Sequence, residues 1–143
     1  MVGLIRKTLR NIHNGRMQRL LAASTAMSAP PLAFEIYLEH YKGSFGDKWM
    51  WTPIWLTPPL TAAGIAGFVS PKAARTVLPL FGALYALDGL IGVWTHFRGV
   101  QKRPAGFSEA HYNLVMGPPL LAPGSLAMVG TMGIVAAIVK RER

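Results

Sequence analysis

The chain carries the same helix pair twice. Arg16, Arg19 and His40-Tyr41-Lys42-Gly43 lead to Pro58-Pro59-Leu60, Ala62 and Gly64. Lys72, Arg75 and His96-Phe97-Arg98-Gly99 lead to Pro118-Pro119-Leu120, Ala122 and Gly124. Arg19 precedes His40 by twenty-one positions, as Arg75 precedes His96, and the two PPLxAxG segments agree at every specified position. Only the connecting loop differs, being four residues longer in the second copy. A repeat of this kind sets the architecture before local propensity does. Here the unit is a pair of apolar helices used twice in the same orientation, which predicts a pseudo-two-fold axis relating two hairpins.

The apolar runs predict a membrane setting. Asp88 is the only Asp, Glu, Lys or Arg from Thr76 to Phe97, and none occurs from Tyr112 to Val139. The stretch from Leu114 to Val139 is long enough to cross a bilayer core of ~30 Å. A soluble helical bundle is the alternative, and run lengths of this kind disfavour it. The expected fold is therefore all-α: a polytopic membrane protein with four transmembrane helices as two tandem hairpins, preceded by an amphipathic helix.

Residues 1–19 form the expected basic segment, with Val2, Ile5, Leu9 and Ile12 at helical spacing and Arg6, Lys7 and Arg10 between them. This fits a helix lying on an anionic membrane surface. A basic, acid-free start also resembles a transit peptide or a signal n-region; removing the first helix as well would leave three spans and break the duplication. The four-helix membrane domain covers 20–143, with hairpin repeats at 20–69 and 72–139. Its spans run from Leu20 to Tyr41, Trp51 to Val69, Thr76 to Phe97 and Leu114 to Val139.

Orientation follows from the basic residues. One side holds Arg6, Lys7, Arg10, Arg16, Arg19, Lys72, Arg75, Lys140, Arg141 and Arg143; the other holds Lys42, Lys48, Arg98, Lys102 and Arg103. Ten against five puts both termini in the cytoplasm of a bacterial cell, with a multi-pass protein in its inner membrane, or in the matrix of a mitochondrion with the protein in the inner membrane. Tyr41, Trp49, Trp51 and Trp94 then fall at the outer interface. The net charge of +9 is read as topology and not as nucleic-acid binding, because the basic residues flank the apolar runs. With no cysteine in the chain, disulfides, thiolate metal sites and covalent haem attachment are excluded.

Every expected span contains proline, which predicts kinks or locally opened helices. Gly64, Gly67, Gly89, Gly92, Gly130 and Gly133 predict close helix contacts. His-aromatic-basic-Gly at 40–43 and 96–99 is also a good helix ending, with glycine in a left-handed C-cap.

The candidate cofactor-binding residues are His40, His96, Asp88, Tyr85 and His111, with His40 and His96 also as metal ligands. The first two histidines hold equivalent repeat positions, so a two-fold axis would bring their imidazoles together, as axial ligation of haem b requires. Copper or zinc is the alternative use of such a pair. Asp88 is expected about 12 Å deeper than His96 along one helix, where an ionisable side chain points to function. Phe81, Tyr85, Asp88, Gly92 and His96 share one helical stripe. Leu32 holds the Asp88 position in the first repeat. Glu35 and Glu39 are expected to be solvated carboxylates at the membrane edge, near Lys42, Lys48 or Arg98.

No phosphate loop, HExxH, GxSxG or dinucleotide fingerprint occurs, so no catalytic activity of its own is expected. The leading functional expectation is a small accessory or anchor subunit of a membrane-bound respiratory or dehydrogenase complex, with haem b or quinone near the outer face. Its partners would be the lipid bilayer and other subunits. The alternatives are a non-catalytic structural or assembly subunit, and a small proton-coupled transporter or channel acting as a homodimer.

Overall fold

A computed structural model describes residues 2–141, and among these the chain is helical with no strand. Seven α-helices follow in order: α1 (Val2–His13), α2 (Met17–Lys42), α3 (Thr52–Val69), α4 (Pro71–Arg75), α5 (Val77–Gln101), α6 (Ala110–Val115) and α7 (Leu121–Ile138). Short 3-10 turns at Lys48–Trp51 and Gly106–Glu109 lead into α3 and α6. Arg143 and the side chain of His13 lie outside the described residues.

The two hairpins are α2 with α3 and α5 with α7. Between hairpins, α2 packs on α7 and α3 on α5. The repeat operation exchanges α2 with α5 and α3 with α7, so it turns one inter-hairpin contact into the other. Long side chains close one end of the bundle. Gln18 Nε2 donates to Ala136 O (2.7 Å) and Val139 O (3.3 Å), at the end of α7. Arg141 donates to Gly67 O, Phe68 O and Val69 O at 2.7–3.0 Å. A helix leaves its last carbonyls without intrahelical partners; the guanidinium supplies those of α3 and complements its dipole. Arg141 is thus a buried cap, although it reads in sequence as one more flanking charge.

Small residues fill the interior and large ones cover the outside. Ala22, Ala29, Ala63, Ala86 and Ala136 are buried with Leu60, Leu78, Tyr85 and Leu126. Met27 and Phe34 of α2, Trp55 and Ile65 of α3, Leu80 and Leu90 of α5, and Met128 and Ile138 of α7 are exposed. All six glycines expected at helix contacts meet a neighbouring helix, and Gly82 joins them. The closest approach is between α5 and α7: a Cβ at Gly82 would lie 2.7 Å from Gly130 O, and one at Gly130 would collide with Gly82 O.

The structure bears on three sequence expectations. First, of the four long helices only α5 and α7 are both long and apolar enough to cross a membrane, so it supports two candidate spans of the four expected. Gln18, Arg19, Glu35, Glu39 and His40 lower the hydropathy of α2, and three prolines with three threonines lower that of α3. Second, the fourth span does not run unbroken from Leu114. Residues 116–120 are non-helical, and α7 begins at Leu121. Pro58-Pro59 follows Thr57 inside α3, whereas Pro118-Pro119 follows Gly117, and glycine adds its own helix penalty to the lost donors.

Third, the third span continues to Gln101, so His96-Phe97-Arg98-Gly99 lies inside α5 and does not end it. Gly99 instead lets the broken segment cross, since a Cβ there would lie 2.8 Å from Pro118 Cγ. In the first copy Gly43 has φ −87°, and the left-handed residues are Ser44 (57°) and Phe45 (46°). The prolines kink fewer helices than expected. Pro53, Pro79 and Pro123 sit in first turns, where a helical N–H has no intrahelical acceptor. Only Pro30-Pro31 and Pro58-Pro59 are mid-helix.

Candidate functional site

The duplication brings two half-exposed histidines near each other at the end of the bundle opposite Gln18 and Arg141. His40 stands near the end of α2 and His96 in the last two turns of α5. His40 Nδ1 lies 2.9 Å from Met50 O, and His96 Nδ1 lies 2.7 Å from Pro119 O. Each carbonyl belongs to the residue two before the next long helix, α3 or α7. A carbonyl only accepts, so both Nδ1 atoms donate, and each neutral ring keeps its lone pair on Nε2. The ring centroids are 6.4 Å apart, at 75°. An imidazole oriented through Nδ1–H, with Nε2 free, is the usual arrangement of a metal-ligating histidine.

Asp88 is the third member. Its Oδ1 lies 2.5 Å from Thr52 Oγ1, and the same hydroxyl lies 2.8 Å from Trp49 O. One hydroxyl has one proton. With Asp88 ionised, Thr52 donates to the carboxylate; with Asp88 protonated, the carboxyl donates to Thr52 and Thr52 to Trp49 O. Asp88 also interacts electrostatically with His40, and His40 with His96. Because α5 extends beyond α3, Asp88 stands level with Thr52, the first residue of α3. Its distance from His96 along α5 therefore does not place it deep in the bundle. It lies at the positive end of the α3 dipole, which lowers the cost of a carboxylate.

One turn further in, the fully buried Tyr85 repeats the pattern. Its hydroxyl lies 3.0 Å from Thr57 Oγ1, which donates to Pro53 O at 2.7 Å, so the phenol donates to the threonine. The α5 stripe expected from sequence faces inward, but it is not one open channel. Tyr85 and Asp88 engage α3, while Gly92 is packed against Pro123 of α7.

Aromatic rings wall the first histidine. Phe45 stacks on Trp51 at 4.0 Å and meets Tyr37 at 5.5 Å and His40 at 5.9 Å. The left-handed Ser44 and Phe45 that fold this ring back are strained for non-glycine residues. Glu39 pairs with Lys42, and that hydrogen bond holds the lysine ammonium above its usual range.

His111 is not brought to the pair. It is exposed on α6, and among the described residues no ring contact joins it to His40 or His96. Nor does any group of three or more His, Asp or Glu side chains that could hold a metal form among the described residues. The donor set is two imidazoles, which falls short of a four-ligand zinc site.

Sequence reasoning missed Thr52 and Thr57, which look like ordinary residues of a proline-rich helix. It also missed Asn113. Buried between loop and helix, Asn113 donates to Pro104 O (2.9 Å) and Gly106 O (2.7 Å) and accepts from Arg103 Nε (3.1 Å). It clasps the connection 102–109 between α5 and α6. Compared with known protein families, curated proteins and solved structures, the chain matches none.

Proposed function

We propose that the chain is a small integral subunit of a membrane-bound respiratory or dehydrogenase complex, with His40 and His96 as its cofactor site. It spans the bacterial inner membrane four times, with both termini in the cytoplasm and the histidine pair near the outer face. Two observations support the membrane setting: small residues inside with large apolar ones outside on all four long helices, and glycine-mediated backbone contact between α5 and α7. Both are features of helices packed in lipid. Because α2 and α3 pack along α5 and α7, they share the depth of the two more apolar helices.

The convergence of the duplicated imidazoles carries the redox reading. His40 and His96 would hold haem b through their Nε2 lone pairs, or would accept from the hydroxyl of a quinol. Asp88, switching with Thr52, supplies a proton site beside them. Purification in mild detergent with an absorption spectrum and identification of co-purifying chains is the test. The expected result is a b-type haem band, or bound quinone, together with redox subunits, all lost in His40→Ala and His96→Ala. A colourless, quinone-free protein that purifies alone overturns the proposal.

A structural or assembly role is the second reading, favoured by one observation. Each Nδ1 latches the start of the next helix, so the pair also serves the fold itself. On that reading His40→Asn and His96→Asn, which retain a donor for the carbonyl, leave the complex intact and fully active.

A further inference from the structure

The α3–α5 interface carries a groove whose lining residues the duplication does not keep. Pro59, Ala62, Ala63 and Ala66 of α3 and Val77 and Phe81 of α5 line a nearly wholly apolar, open depression of about 320 Å³. From Ala66 to Pro59 it rises roughly 10 Å along α3. At the equivalent positions of α7, Pro123 replaces Ala63 and Leu126 replaces Ala66, and both are buried, Pro123 against Gly92 of α5. The small side chains that open the cleft on α3 are therefore not kept in the second copy.

Its lower mouth is basic. Val77 opens α5, and Lys72 and Arg75 of the preceding α4 are both exposed. No ion pair holds either of them among the described residues. Of the six acidic residues, Glu35, Glu39, Asp47, Asp88 and Glu109 lie in the other half of the bundle or at its far end.

We propose that this groove binds one anionic phospholipid of the inner leaflet, with an acyl chain along Ala66, Ala62 and Pro59 and the headgroup phosphate on Lys72 and Arg75. The inference rests on the membrane reading above. An apolar cleft of this length calls for a segment of hydrocarbon chain, because small side chains leave the flanking helices without partner atoms there. Paired cations at its cytoplasmic mouth select a negative headgroup, as basic clefts between membrane helices do.

Native mass spectrometry of the full chain in mild detergent tests it, with phosphatidylglycerol and phosphatidylcholine of identical acyl chains as probes. Wild type retains one phosphatidylglycerol and prefers it to phosphatidylcholine roughly thirty-fold. The double variant Lys72→Gln/Arg75→Gln, confined to exposed side chains, binds the two lipids alike. Ala66→Leu, which installs the leucine of the second repeat, retains neither. Lys42→Gln/Lys48→Gln, at the other end, behaves as wild type. Equal retention of both lipids by wild type overturns the proposal, as does an undiminished preference in Lys72→Gln/Arg75→Gln. Alkaline washing of membranes separates the two layers of inference. Wild type that stays in the membrane but shows no lipid preference defeats this site alone, whereas release into the soluble fraction defeats the membrane reading and this site with it.

Discussion

Threonine 57 and tyrosine 85 show how little of a polar contact is written at either residue. The phenol donates to Thr57, and Thr57 donates to its own helix at Pro53 O. Tyr85→Phe removes a donor and leaves the Thr57 bond intact, so it should lower stability by about 1 kcal/mol. Thr57→Val strands a buried phenol hydroxyl and should lower it by ~1–3 kcal/mol. Thermal unfolding of both variants in detergent checks the order, and a Thr57→Val loss no larger than that of Tyr85→Phe would show that the phenol does not depend on Thr57. Tyr85 and Asp88 stand out in sequence because a 3.6-residue period puts them on one stripe. Their threonine partners do not, since the axial register of α3 against α5 selects Thr52 and Thr57 from the three threonines of α3.

At the scale of helices, equal sequence does not mean equal packing. Gly64 and Gly124 are the same position of the repeat, yet a Cβ at Gly64 would lie 2.9 Å from Ala26 Cβ and 3.0 Å from Ala22 O, while one at Gly124 meets nothing within 4 Å. Gly64→Ala should cost ~1–3 kcal/mol by overpacking α2 against α3. Gly124→Ala should be neutral or stabilise by up to about 1 kcal/mol through helix propensity. Comparing the two in one denaturation series reads the difference directly. The cause is the break before α7: the second hairpin enters its helix at Leu121, whereas α3 already runs through Pro58-Pro59. Helix ends were legible where a local signal sets them, as at Ser70-Pro71, where Ser70 Oγ accepts from Ala73 N. They were not legible at 116–120, because the tolerance of a proline doublet depends on the residue before it and on what packs alongside.

For the whole molecule, the hydrogen bonds of Gln18 and Arg141 gather the start of α2 and the ends of α3 and α7 at one end, opposite the two histidines. In a bilayer this arrangement puts Ser44 and Ser108 on the same side and Ser70 across from them. Single cysteines at these sites, unambiguous in a chain without native cysteine, should be labelled by an impermeant thiol reagent from one side of the membrane at positions 44 and 108 and from the opposite side at position 70. Labelling of 44 and 108 from opposite sides would break the two-hairpin topology.

Helical content and the nearness of the His40 and His96 rings were readable from the order of residues. Periodicity, run length and repeat spacing are properties of a stretch of chain and need no partner. The break before α7, the Asp88–Thr52 and Tyr85–Thr57 contacts, the Arg141 cap and the α3–α5 groove were settled only by the packed bundle. Each depends on which atoms two helices bring within 3 Å of each other, and that distance follows from side-chain sizes on both helices at once.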